Sequence, residues 1–175
     1  MANIEKFTWE GTRVFIKKSS EAAWALATHR VSNVLSANIS DGGTTIINGN
    51  DLDSLDRVTE KVPGHTDPGT LSIVCNVTKA NSAKIEELET IRFASTSSGT
   101  LVDVAIIAPF GMDDATAVYR TVCYKGCILD GVNKMSNTGS DAIQQATINL
   151  VLRNRPEAVP PADVTKLMAD DEEST

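Results

Sequence analysis

Aromatic residues are scarce, 5% of 175. The core must therefore be aliphatic, and a base-stacking platform for single-stranded nucleic acid, which needs a row of rings, is excluded. There are two histidines, His29 and His65, and three cysteines, Cys75, Cys123 and Cys127. An odd cysteine count without paired spacing argues against a disulfide framework and fits reduced thiols. No apolar run approaches the roughly 18 residues of a membrane span. The opening MANIEKFTWEG lacks the apolar centre of a signal peptide. A soluble, cytosolic protein with no membrane partner is the expectation. Also missing are a G-x-S-x-G elbow, G-x-G-x-x-G, a phosphate loop and H-E-x-x-H.

Positive charge is thin too. The net charge is −7, and residues 156–175 hold six acids (Glu157, Asp163, Asp170, Asp171, Glu172, Glu173) against Lys166. The body, 1–155, is therefore nearly neutral. That balance lacks the basic footprint of a nucleic-acid grip and does not suit an anionic membrane surface.

The groups that remain carry little chemistry. His65 sits in PGHTDPG beside Asp67, but no second cluster completes a metal site, so it reads as a loop histidine. His29, at the end of an apolar run, reads as a surface or helix-end residue. On a straight strand Cys123 and Cys127 share a face about 13 Å apart, beyond the roughly 7 Å a disulfide spans. A zinc clasp needs a tight turn and a second pair. All three cysteines therefore read as small buried residues. Asp51, Asp53 and Asp56 in GNDLDSLD lack the spacing of a calcium loop, and STSSGT (95–100) has no partner base. No catalytic, metal or cofactor residue is assigned, and the protein is expected not to be an enzyme. A self-assembling structural protein and a small β-barrel binding module remain.

The body reads mainly as strands. TRVFIKK (12–18) alternates, with Val14 and Ile16 on one face and Arg13, Phe15 and Lys17 on the other. EAAWALATHRVSNVLSANIS (21–40) is compatible with a helix over 22–28 and a strand after it, and its pattern does not decide. Residues 41–69 are rich in Gly, Asp, Asn and Pro, with one β-like run, Thr44 to Ile47. Such a long excursion is often functional. TLSIVCNVTK (70–79) is a strand, with Leu71, Ile73, Cys75 and Val77 on one face and Ser72, Val74, Asn76 and Thr78 on the other. NSAKIEELETIRF predicts a helix over about 82–93, capped by Asn81 or Ser82, with Ile85, Leu88 and Ile91 on its apolar stripe. Strands follow at 100–109 and 116–131, the second kinked at Gly126.

SDAIQQATINLVLRN (140–154) fits a strand better than a helix. As a strand, Ala146, Ile148, Leu150 and Leu152 share one face, and Gln145, Thr147, Asn149, Val151 and Arg153 form a polar row opposite. An antiparallel sheet with one wet face follows. After Asn154, RPEAVPP breaks regular structure. ADVTKLM suits one or two helical turns with Val164, Leu167 and Met168 on one side, and ADDEEST reads as a solvated acidic end.

The order of these elements, carried by GTLSIVCNVTKANSAKIEELETI, TLVDVAIIAP and YRTVCYKGCILDGVNKMSNTGSDAIQQATINLVLRN, resembles the tail tube (major tail) proteins of tailed bacteriophages and their relatives in contractile injection machines. The resemblance covers roughly 1–155. It implies an antiparallel β-sandwich or barrel with one flanking helix; the Pro-rich acidic tail, 156–175, departs from the family, whose C-terminal end is usually shorter. It further implies self-association into hexameric rings that stack as a hollow conduit for DNA ejection, the DNA passing without specific binding. The expected place is the virion tail, after synthesis in the host bacterial cytoplasm. Partners would be the tape measure, tail terminator and baseplate and, in a contractile tail, the sheath. Thr44, Ile46, Ile47, Asp51, Leu52 and Leu55 of the long loop are the candidate inter-subunit residues. Gln145, Thr147, Asn149 and Arg153 are candidates for a lumen or polar sheet face, and acids are expected to outnumber bases on a lumen wall. A capsid decoration or tail-completion protein is the rival within the same particle, beside the small-barrel module.

Overall fold

The computed structural model describes residues 11–40, 42–49, 60–98, 100–113, 116–137 and 143–169. β1 (Arg13–Lys18) alternates as expected, but both faces are buried: Val14 and Ile16 enter one core and Phe15 another. The ambiguous stretch 21–40 contains both structures, α1 (Leu26–His29) and then β2 (Arg30–Val31) and β3 (Val34–Ser40). The long excursion holds a two-stranded ribbon, β4 (Gly43–Gly49) against β5 (Glu60–Asp67). Its second strand is hidden in the sequence because Pro63 and Gly64 interrupt the pattern. The register shifts there, between the Thr44–Thr66 and Ile46–Pro63 pairs, as an edge strand tolerates. β6 (Thr70–Asn76), α2 (Ser82–Ser98), β7 (Val102–Asp113), β8 (Thr116–Asn137), β9 (Gln145–Val151) and α3 (Pro161–Met168) complete the chain.

The main sheet is antiparallel, in the order β2-β1-β7-β8-β9-β6-β3. β8 is long enough to serve twice. It pairs with β7 up to Cys127 and with β9 from Ile128 onward. The sheet thus divides into a first half (β2, β1, β7, start of β8) and a second half (rest of β8, β9, β6, β3). Their inner faces share one aliphatic core with Ile85, Leu88 and Ile91 of α2. Asn81 lies at the helix start, but its side chain turns back: Oδ1 accepts from Thr78 N–H, and Nδ2 donates to the carbonyls of Ser32 and Asn76. It therefore ties β6 to the start of β3.

The change of partner occurs at a bulge. From Tyr124 to Cys127 β8 advances three residues while β7 moves two, from Val104 to Val102. Gly126 sits in the bulge at φ 64°, a region glycine enters without the steric penalty of a side chain. The extra residue shifts the alternation by one. Tyr124 and Cys127 both face the inner core, whereas Cys123 faces the second core. The straight-strand expectation that Cys123 and Cys127 share a face is thereby corrected.

A buried ionic knot holds the bulge. Asp103 Oδ1 accepts from Gly126 N–H at 2.9 Å and from the Ser19 hydroxyl at 2.5 Å. The Lys17 ammonium lies 3.1 Å from Asp103 Oδ2, donates to the Glu21 carbonyl, and sits 5.1 Å from the centroid of the Trp24 ring. Lys17 and Asp103 are both buried. Burial alone would raise the pKa of Asp103, but the Ser19, Gly126 and Lys17 contacts outweigh it and hold the carboxyl below its ordinary value.

The second core lies on the outer face of the first half-sheet. Phe15, Ala105, Ile107 and Cys123 are covered there by Trp24, Val159, Val164 and Leu167. The expected tail thus begins with a packed section. Glu157 exchanges both backbone hydrogen bonds with Cys123, at 2.7 and 2.8 Å. The Arg13 guanidinium donates to the carbonyls of Leu167 and Ala169 at the end of α3. The acidic end, 170–175, lies outside the described residues.

Leu167 is fully buried. Leu167→Ala is expected to cost about 2–5 kcal/mol in urea unfolding; a loss near zero would mean that α3 is not packed. Asp103→Asn is expected to destabilise by about 3–5 kcal/mol at neutral pH, because it strands the buried Lys17 charge. Since the folded-state value of Asp103 is depressed, its contribution is full above the unfolded value and is lost as pH falls through the folded one. The gap between wild type and variant should therefore close between about pH 5 and pH 2. A gap constant over that range would refute the assignment.

Candidate functional site

The described residues contain no group of three His, Cys, Asp or Glu placed to hold a metal. His29 is buried rather than exposed, at the end of α1. Its Nδ1 accepts from Ala25 N–H at 2.9 Å, its Nε2 lies 2.9 Å from Glu21 Oε2, and it meets the Trp24 ring edge-on. Burial, the largest influence, lowers its proton affinity despite the attraction of Glu21. It pins residues 21–29. His65 is exposed on β5. Asp67 instead accepts from Gly69 N–H. Asp51, Asp53 and Asp56 lie outside the described residues. Cys75, Cys123 and Cys127 are buried and unpaired. Burial pushes all three thiols up, Cys123 to about 11 and Cys127 to about 12.

The surfaces that remain are suited to contact. The first is the outer face of the second half-sheet. Ala146, Ile148, Leu150 and Leu152 are buried, as their alternation requires, which turns Gln145, Thr147 and Asn149 outward. Thr147 lies between Val74 and Asn133, and Asn149 between Ser72 and Gly131. On β3, Ser36 pairs with Val74 and Asn38 with Ser72. The row seen in the sequence is therefore one column of a wider face of Ser, Thr, Asn and Gln, interrupted by Val74 and Gly131. No charged residue occupies these paired positions. Asp130, at the bulge between Leu129 and Gly131, and Arg153, past the end of β9, are exposed at its margins. The alternation of β6 signalled Ser72, Val74 and Asn76. Which strands flank β9 depends on long-range pairing, and no local pattern reports it.

The second surface is the ribbon. Its root is fixed at Gly69, whose φ is +91° and where an added Cβ would stand 1.9 Å from the Ser40 carbonyl oxygen. Gly69 carbonyl accepts from Leu152 N–H at 2.9 Å, so the root is tied to β3 and to the end of β9. Thr44 is exposed and hydrogen-bonds Thr66 across the ribbon. Ile46 and Ile47 pair along the backbone with Pro63 and Val62. Asp51, Leu52 and Leu55 lie outside the described residues. Arg153 is not in the ribbon but lines a cavity at its root with Asp67, Tyr124 and Arg155.

The third surface is strand edge. β3 ends the sheet on one side, with Leu35 49% and Ile39 43% exposed. Beyond Cys127, β8 has lost β7 as a neighbour. Unpaired edges carrying apolar side chains are templates for another chain.

Comparison with solved structures places the fold. A cryo-EM structure of an extracellular contractile injection system, the PVC sheath/tube terminator in its extended state, is similar at TM-score 0.61 and 13% identity, covering 91% of this chain and 100% of that one. The anti-feeding prophage cap (AFP tube terminating cap) gives 0.57 at 14%, covering 90% and 93%. The SPP1 tail tube gives 0.55 at 6%, covering 96% and 88%. The chain has the fold of tail-tube and injection-system tube structures, mainly β with a flanking helix, and the likeness lies in the fold rather than the sequence. No family model matches the sequence, and no curated protein is significantly similar to it.

The raised thiols yield a direct test. In the native state Cys75, Cys123 and Cys127 should be inert to a disulfide reagent at pH 8, and all three should react in denaturant. Rapid labelling of any one without unfolding would contradict the burial described.

Proposed function

We propose that this chain is a non-enzymatic tube subunit, forming hexameric rings that stack into a hollow conduit through which DNA is ejected. The outer face of the second half-sheet, whose paired positions carry no charge and whose margins carry only Asp130 and Arg153, supports the reading. A wall of hydroxyls and amides stays wet and offers DNA phosphates no cation to hold. On this proposal Gln145, Thr147 and Asn149 face the bore, and Arg153 stands at its margin. The wall is then neutral, not acidic as the net charge leads one to expect. The free edges of β3 and of β8 beyond Cys127 supply lateral contacts by strand addition. The β4–β5 ribbon, with Thr44, Ile46, Ile47, Asp51, Leu52 and Leu55, supplies contacts between rings. Terminator, tape measure, baseplate and, in a contractile tail, sheath are the partners such a tube requires. The site of action is a phage tail or an injection device, after synthesis in a bacterial cytoplasm.

The similarity to a tube-terminating cap favours one alternative, a completion protein that stops at a single ring. Negative-stain microscopy of concentrated protein separates the two. Open-ended stacks are expected; single rings at every concentration would favour the cap, and a persistent monomer would count against both. Deleting residues 44–62 should leave the circular dichroism spectrum and the urea midpoint close to wild type while abolishing stacking. Tubes formed by the deletion variant would remove the ribbon from the proposal.

A further inference from the structure

His29 is a buried titratable group with no part in the tube surfaces or in the Asp103 knot. Both of its ring nitrogens are committed. Nδ1 accepts the Ala25 N–H at 2.9 Å, and Nε2 lies 2.9 Å from Glu21 Oε2. A ring nitrogen that accepts must keep its lone pair free, so the neutral imidazole carries its proton on Nε2 and presents it to the Glu21 carboxylate. The His29 N–H also donates to the Ala25 carbonyl at 3.2 Å. The turn of α1 is therefore closed twice between the same two residues, once through the backbone and once through the imidazole. With four residues, α1 is too short to hold itself.

The turn holds more than itself. Trp24, just before it, belongs to the second core with Phe15, Val164 and Leu167, and Leu26 packs against that core. Leu26, Ala27 and Thr28 also form one wall of a cavity of about 380 Å³, which Ala83, Lys84 and Glu87 of α2 line from the other side.

A second proton on the ring undoes this closure. Nε2 already holds one, so the new proton enters at Nδ1, where it meets the Ala25 N–H donor to donor and the hydrogen bond is lost. Burial is the largest influence against the charged ring in the closed turn. Lys84 of α2 and Lys17 of β1 repel it as well, and Glu21 of the preceding segment attracts it. Both lysines are themselves paired, Lys84 with Glu87 and Lys17 with Asp103 of β7. The Lys17 ammonium lies 5.1 Å from the centroid of the same Trp24 ring that His29 meets edge-on, so an imidazolium there would crowd two cations around one indole.

We propose that His29 is an acid-operated latch: protonation at Nδ1 opens α1, lifts Trp24 and Leu26 from the second core and removes one wall of the cavity beside α2. The latch belongs to the single subunit and does not rest on the tube reading. Because the closed turn holds the neutral ring, closure is complete above the ordinary imidazole value of about 6.5 and is lost as pH falls from there towards the lower value of the closed state. Each opening takes up one proton, so the opening constant rises about tenfold per pH unit across that range.

Amide exchange on the full chain tests it. The protection factor of the Ala25 N–H, corrected for intrinsic exchange, should fall about tenfold per pH unit below about pH 6.5, while that of Leu88 in α2 stays level. In a Trp9→Phe background, where Trp24 is the remaining indole, the emission should move to longer wavelength over the same range. His29→Gln, which does not titrate, should abolish both responses. Nitrogen chemical shifts of the wild-type imidazole at pH 8 should place its proton on Nε2. Four results would each overturn the latch: a proton on Nδ1 at pH 8, Ala25 protection that stays constant between about pH 7 and pH 5, a His29→Gln chain that still responds, or an equal loss at Leu88, which would mean that acid unfolds the whole chain.

Discussion

One extra residue in β8 determines how this chain can be used. With Gly126 in the left-handed region, β8 leaves β7 and takes up β9. The same step moves the alternation by one, so Cys123 serves the second core and Cys127 the first. A bulge is a weak point in a ladder, because its residues lose regular partners. Here Asp103 substitutes for them, accepting the Gly126 N–H and facing Lys17 and Ser19. The carboxylate joins β1, β7 and β8 where the sheet turns, and replacing it with a hydrophobic residue would free Gly126 N–H as well as Lys17. A buried ion pair is seldom a net gain over apolar packing, so its value here lies in fixing one geometry for the turn.

The bend explains why a chain with few aromatic residues closes two cores. Strand β1 buries Val14 and Ile16 inward and Phe15 outward. The outer burial depends on α3, which arrives along the edge of β8 through the Glu157–Cys123 bridge and crosses to Arg13. The second half-sheet has no such cover among the described residues. Its outer positions are mostly Ser, Thr and Asn, with Val74 and Gly131 among them, where the first half has Phe15, Ala105 and Ile107. The asymmetry matches composition to environment: one half-sheet is sealed by the chain itself, and the other is built to stay wet.

Much of this was legible before any coordinates. The alternation of Ala146, Ile148, Leu150 and Leu152 gave β9 and its wet row, and the Ile85, Leu88, Ile91 spacing gave α2, because burial on one side imposes a period that sequence retains. What stayed hidden has physical reasons. Strand β5 was masked by Pro63 and Gly64, tolerated there only because a ribbon has free edges. The parity change at Gly126 was invisible because a glycine in a strand does not announce which way it bends. The burial of Lys17 and His29 arises from contacts with Asp103 and Glu21, and no local window records a partner 86 residues away as Asp103 is from Lys17. The neutral face was half legible: each column could be read, but the joining of β3, β6, β9 and β8 could not.

That neutrality bears on the distribution of charge over the whole chain. A net charge of −7 would place acids on any surface drawn at random, yet the paired outer positions of the second half-sheet hold none. Nine of the 23 acids fall in residues 51–56 and 156–173. For a polyanion moving along a wall, fixed cations would act as brakes through counterion release, and fixed anions would raise the energy of every phosphate inside a narrow bore. On the proposed tube reading, a face rich in amides and hydroxyls does neither, and its hydrogen-bonding groups would hold a water layer between wall and cargo.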